Sequence, residues 1–306
     1  MNILETVSFG KYFFQIAMTL RESKFLSAIL TNSDVWYNLK KCEIDELEDL
    51  DRSLLRKIFA TKMSCPKEAL FLESGALSIG TIIKSKRINY RHYLVKEDEG
   101  SMLSDFFYAQ WNCETKNDWT IQIKSDLEDF GIPLDLEYIK SKSEFSFKNL
   151  VKVKAKEYEL YQMNSKKGSK MEKNFHSELK MQTYLYAKEI TAEDSKRIFA
   201  YRTRMANFGE NFRGQSDPKQ CPLCLSHLDN QQMAYICTKI KPSLYEAGKY
   251  DGIIKMDIPI VTIRNLRIID KIMKKSIWPC LATGAPGSAA NTINITHIMI
   301  ICMFEL

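Results

Sequence analysis

The stretch from Glu43 to Phe59 constrains the fold most. Ile44, Leu47, Leu50, Leu54, Leu55, Ile58 and Phe59 recur there at helical spacing on one stripe, behind acidic residues and ahead of Arg56 and Lys57. A helix with one apolar stripe has to bury it against other elements, so a helical bundle is expected. Neighbouring segments repeat the pattern. Phe13, Ile16, Ala17 and Leu20, followed by Phe25, Leu26, Ile29 and Leu30, predict one long helix over Phe9 to Leu30, bent in the middle. Pro66 suits the first turn of a short helix through Leu72, which Gly75 would stop. Ile79, Ile82, Ile83, Ile88 and Leu94 accompany Lys84, Lys86, Arg87, Arg91 and His92, which implies a basic-faced helix. His92, beside Arg91, is expected to meet phosphate or solvent.

Further on, Ser101 can cap a helix holding Leu103, Phe106 and Phe107. Asn117 can cap another holding Trp119, Ile123, Leu127 and Phe130, which ends at Gly131 before Pro133. Phe147, Leu150, Val151 and Tyr158 fit a helix between Ser143 and Met163, and Ser165 to Lys170 reads as a flexible basic link. Thr191 to Asp194 is a helix start for Ile198, Phe199, Arg202 and Met205. Beyond about Gly248 the β-branched runs Ile253-Ile254 and Ile258 to Ile263 read as a poorly packed appendage. The expected fold is therefore mainly α.

A chain of 306 residues with 45% hydrophobic and 27% charged residues has the composition of a soluble globular protein. It has no window of about 18 consecutive apolar residues, so no membrane partner is expected. With no secretory signal pattern, an intracellular setting, cytoplasmic or nuclear, is expected, and Cys42, Cys65 and Cys113 read as ordinary thiols. Net charge is +6, unevenly spread: Lys140 to Lys219 holds 18 Lys and Arg against 10 Asp and Glu, an excess of 8. An anionic partner would be drawn to that segment, although a solvated lysine-rich face has the same composition.

The residues argue against a self-sufficient active site. There is no Asp-Asp pair to hold two metal ions on a phosphate. Glu48, Asp49 and Asp51 read as a solvated helix face, and Glu97-Asp98-Glu99 as a loop. Neither a Gly-x-Ser-x-Gly elbow nor a phosphate-cradling Gly-rich loop is present, and the four histidines are scattered at 92, 176, 227 and 297. Metal-binding residue types crowd only at Cys221-Pro222-Leu223-Cys224, with His227 and Cys237 following. The two thiolates of a Cys-x-x-Cys turn can share one Zn²⁺ and Cys237 offers a third ligand, which leaves His227, only three positions after Cys224, as the fourth.

In several ordered runs the chain resembles the region just downstream of the catalytic palm in LINE-type, non-LTR retrotransposon reverse transcriptases. These are Phe9-Gly10-Lys11, Ala17 to Ser23, Ile29 to Ser33, Val35 to Leu39, Glu43-Ile44 and Leu47-Glu48. Cys65 to Gly75, the basic stretch Ile83 to Tyr93, Asp118-Trp119 and Ile198 to Met205 follow in the family's order, ahead of the Cys-rich run. The likeness covers roughly residues 9 to 240. It implies a piece of such an RNA-directed DNA polymerase that is not itself an enzyme, since the palm aspartates would precede residue 1. Residues 1 to 100 would be a thumb-like helical region and 101 to 215 a basic helical connector. A Cys-rich knuckle would occupy 216 to 240 and a divergent, poorly structured tail 241 to 306.

The partner so implied is RNA or an RNA/DNA duplex, bound without sequence preference, together with the missing palm region. Candidate phosphate contacts are Lys84, Lys86, Arg87 and Arg91, with Arg197, Arg202 and Arg204 further on. Relatives place a histidine in the knuckle where this chain has Met233, so Zn²⁺ at Cys221, Cys224, Cys237 and His227 is expected to bind weakly. Two other readings fit the sequence: a helical protein-interaction module, and a decayed element copy without function.

Overall fold

A computed structural model of the chain describes residues 12–98, 100–113, 118–166, 176–206, 244 and 263–272. Mainly helical structure fills these segments, with no strand among the described residues. The first helix, α1, runs through Phe13–Leu20, a π-helical stretch Arg21–Leu26 and a last turn Ser27–Ile29. The middle of this segment, where a bend is expected, is a widened turn. Arg21, only 2% exposed, sits in that turn and reaches the buried Asp51 through its Nε at 2.6 Å and the Leu77 carbonyl at 3.0 Å. Asp51 thus lies in the interior, which corrects the solvated helix face expected of it.

Helix α2 spans Lys41–Phe59, and its C-terminal half buries Leu54, Leu55, Ile58 and Phe59 as the stripe predicted. Fully burying such a side chain contributes about 1.5 to 3 kcal/mol. Helix α3, Lys67–Ser74, starts after Pro66 and ends at Gly75, whose φ of 71° suits a residue without a side chain. Space enforces the same choice, because a Cβ on Gly75 would lie 2.3 Å from the backbone of Lys180 and Met181.

Helix α4, Ile79–Lys96, is the hub on which α2, α5, α6, α7 and α8 pack. Ser78 caps it by accepting the Thr81 N–H. Helix α5, Met102–Asn112, is capped by Ser101 as expected, and α6, Trp119–Asp129, by Asp118, where Asn117 was predicted. A short helix α7, Leu136–Lys140, precedes the long α8, Glu144–Lys166, whose last turn takes in the Ser165-Lys166 start of the expected link. A 3₁₀ turn, Thr183–Leu185, leads to α9, Ala192–Arg202, whose cap is Thr191.

Two large cores and a small one hold these helices. The first joins α1, the end of α2, α3, the segment from Leu179 to Ala206 and the helix at 263–272. The second joins the C-terminal half of α4 to α5, α6, α7 and α8. A third, smaller cluster sets Leu26 and Leu30 of the α1 region against Ile79 and Ile83. Both large cores draw on either side of position 100. Within the tail, helix 263–272 buries Ile263, Leu266 and Ile269, and its Arg267 and Asp270 pair with Asp194 and Arg197 around α9.

Candidate nucleic-acid interface

The basic residues of α4 do not share one face. Lys84, Arg87 and Arg91, three and four apart, turn inward. Arg87 grips Asp126 of α6 with a fork, Nε to Oδ2 at 2.7 Å and Nη2 to Oδ1 at 3.1 Å, and donates to the Trp36 carbonyl at 3.1 Å. Lys84 pairs with Asp129, lies 3.8 Å from Asp126 and sits 5.1 Å over the Tyr158 ring. Burial would lower the Lys84 pKa, but Asp129, Tyr158 and Asp126 outweigh it and raise it. Burial raises the Asp126 carboxyl despite its cations. Arg91 is fully buried, stacks 4.1 Å over Trp111 and donates to the Leu134 carbonyl at 2.8 Å, while its Nε and Nη1 have no partner among the described residues. Burial pulls its pKa down to about 10.

The other expected phosphate contacts are also engaged internally or leave α9 at its end. Arg202 donates to Glu73 from Nε at 3.0 Å and from Nη2 at 2.9 Å, and the Tyr184 hydroxyl adds a third bond to that carboxylate at 2.8 Å. His176 Nε2 stands 3.4 Å from Glu73 Oε1, close enough for attraction but outside hydrogen-bond geometry. Burial pushes Glu73 up, yet Arg202 and His176 prevail and hold its pKa at about 2. Arg197 bridges Asp194 at 2.7 Å and Asp270 at 2.5 Å. Arg204, half-buried, follows α9 with a left-handed φ of 53°. Cys221, Cys224, His227, Cys237 and Met233 lie outside the described residues. Among the described ones no cluster of His, Cys, Asp or Glu could hold a metal ion.

A second buried carboxylate has a different environment. Glu159 of α8, 1% exposed, accepts from the Ser78 hydroxyl at 2.8 Å and from Thr81, while its Oε1 has no partner among the described residues. Burial raises its pKa, with the hydroxyls of Thr81 and Ser78 opposing. Glu48 of α2 is raised as well, chiefly by burial and in part by Glu159 itself, with Lys67 opposing.

The outward face of α4 builds an open groove of about 650 Å³. Lys86, Tyr90, Tyr93 and Lys96 line it from α4, Glu144 and Lys148 from the start of α8, and Asp34 from the turn after α1. Tyr90 and Tyr93 lie nearly parallel, ring centres 5.9 Å apart at 16°. Trp119 braces Tyr90 edge-on at 5.7 Å, and its indole N–H is fixed on the Asp34 carbonyl at 3.1 Å. Tyr93 keeps 51% of its surface exposed. Lys86 donates to the Leu30 carbonyl at 2.7 Å, Lys148 pairs with Glu144, and Lys96 is exposed.

His92 lies in the floor of this groove, 3% exposed, stacked on Phe147 at 4.4 Å with Nε2 3.2 Å from the Lys142 carbonyl. It is a packed ring, which corrects the solvent contact expected of it, and burial lowers its pKa. Of the seven basic residues expected to meet phosphate, Lys86 alone lines the groove. Tyr90, Tyr93, Lys96 and Lys148 were not anticipated. On α4 the signal is the 3-4-3 spacing of Lys86, Asn89, Tyr93 and Lys96, one helical stripe that lines the groove with Tyr90 beside it. No protein-family model, curated protein or solved structure matches this chain.

Proposed function

We propose that this chain is a nucleic-acid-binding helical module related to non-LTR reverse transcriptases, and that it binds through the outward groove of α4. The observation that carries this reading is the pairing of a braced tyrosine stack with Lys86, Lys96 and Lys148 in one groove. Aromatic platforms between cations are how proteins hold nucleic acid without reading its sequence. RNA is the partner that the resemblance adds. The setting we propose is cytoplasmic or nuclear; among the described residues no helix is long and apolar enough to cross a membrane.

The test is a titration of labelled unstructured RNA at low salt against the wild type and the triple variant K86E/K96E/K148E, with circular dichroism as a check on folding. Binding weakened about ten-fold or more in a folded variant supports the reading. Equal affinity in both proteins removes it.

A second reading, a protein-interaction module, draws on α5, where Met102 is 89% exposed, Phe106 62% and Leu103 41%. Such a neighbouring apolar set on one helix is what a partner would cover. Serine at Met102 and Phe106 would then abolish partner capture while leaving RNA affinity as it was.

A further inference from the structure

We propose that the α4 groove takes an unpaired nucleotide strand, stacking a base on Tyr93, and that it discriminates against duplex. This rests on the nucleic-acid reading above and goes beyond the duplex-gripping role that the family resemblance implies.

Two sets of observations lead there. The first concerns charge. A protein that holds a duplex by its backbone needs rows of free cations to meet the phosphates. Here Lys84 and Arg87 are taken up by Asp129 and Asp126, Arg202 by Glu73, Arg197 by Asp194 and Asp270, and Arg91 is buried against Trp111. The groove itself sets three lysines against Asp34 and Glu144, so its lining carries a net formal charge of +1. Three lysines partly offset in this way can meet about two or three phosphates of one strand, and are too few for two backbones.

The second concerns the rings. Tyr93 is half exposed, yet its plane is already fixed by Tyr90, which Trp119 fixes in turn, and the Trp119 N–H is bound to a backbone carbonyl. A platform ordered before binding loses little entropy when a base lands on it. Inside a duplex each base is already stacked on both faces and only the end pairs keep one open, whereas an unpaired strand offers free base faces along its length. Lys96, one turn beyond Tyr93, and Lys86, two turns before it, flank the platform where the phosphates on either side of a stacked base would lie.

The experiment measures binding of the full chain by fluorescence anisotropy to three ligands of about 12 nucleotides. They are an unstructured single strand, a blunt duplex containing that strand, and an abasic oligomer with the same phosphates and no bases. The expected result is that the duplex and the abasic oligomer each bind about ten-fold or more weakly than the single strand. Y93A should fall to the abasic level on the single strand, and Y93F should keep wild-type affinity. Duplex or abasic binding as tight as single-strand binding overturns the stacking proposal while leaving a nucleic-acid groove in place. Binding of none of the three, or single-strand binding unchanged in K86E/K96E/K148E, overturns the groove reading and the stacking proposal with it.

Discussion

Inward-facing and outward-facing cations on the same helix have opposite fates. Arg87 and Arg91 leave solvent, and Arg87 meets an acid distant in sequence, whereas Lys86 and Lys96, one and five positions from those arginines, line an open groove. The choice of residue follows the task. A guanidinium supplies a planar fork that satisfies a buried carboxylate, as Arg87 does for Asp126 and Arg202 for Glu73. A lysine ammonium on a flexible stem stays hydrated and suits a surface that meets a mobile backbone. Basic composition alone therefore says little about a binding role until each cation's partner is known.

That contrast breaks first at Arg202. Replacing it with Ala leaves the fully buried Glu73 carboxylate, among the described residues, with Tyr184 and His176 alone, so a loss of about 3 to 5 kcal/mol is expected in urea unfolding. Arg87→Ala leaves Asp126 with the more distant Lys84 and with Gln122, and is expected to cost about 2 to 4 kcal/mol. Replacing Arg87 and Asp126 together with Met and Leu should recover most of that cost, since the pair stabilises less than its rupture destabilises. Failure of the double replacement to recover would show that Asp126 is needed for something besides Arg87.

The two buried carboxylates sharpen the comparison through pH. Glu73 is held at about 2 against an ordinary value of 4.5, so its contribution to stability is present above 4.5 and is lost as pH falls toward 2. Glu159 has the opposite sign. Its pKa is raised, so its contribution is present below 4.5 and is lost as pH rises through the folded value. Glu159→Gln should therefore raise the melting temperature at neutral pH and leave it little changed below pH 4.5. Thermal melts across pH check both, and a Gln variant that melts lower at neutral pH would show that ionised Glu159 is well solvated by Ser78 and Thr81. The smallest stability effects belong to the outward face. Lys96→Glu and Lys148→Glu should each alter stability by no more than about 0.5 kcal/mol while weakening nucleic-acid binding.

The sequence reveals the local events and hides the long-range ones. The Ser101 and Thr191 caps, the Pro66 start and Gly75 stop of α3, and the buried stripe of α2 all follow from residues within a few positions of each other. The fate of each cation does not, because Asp126 lies 39 positions after Arg87, and Glu73 lies 129 before Arg202. Hub helix α4 is packed on most of its circumference, so no single apolar stripe announces which basic residues face inward. Helix 263–272 escaped notice for a related reason: its docking depends on Asp194, Arg197 and Tyr201 of α9, remote in sequence. The groove was legible only in part, through the 86, 89, 93, 96 spacing, since Lys148 and Asp34 reach it from other elements.

The salt dependence of nucleic-acid binding separates inward from outward cations most directly. With only Lys86, Lys96 and Lys148 meeting phosphates of a single strand, the slope of log K against log salt should be about −2, and it should flatten in K86E/K96E/K148E. A slope of about −5, unchanged in that triple variant, would mean that the seven basic residues first expected to meet phosphate do so, and would contradict the internal role of Arg87, Arg91 and Arg202.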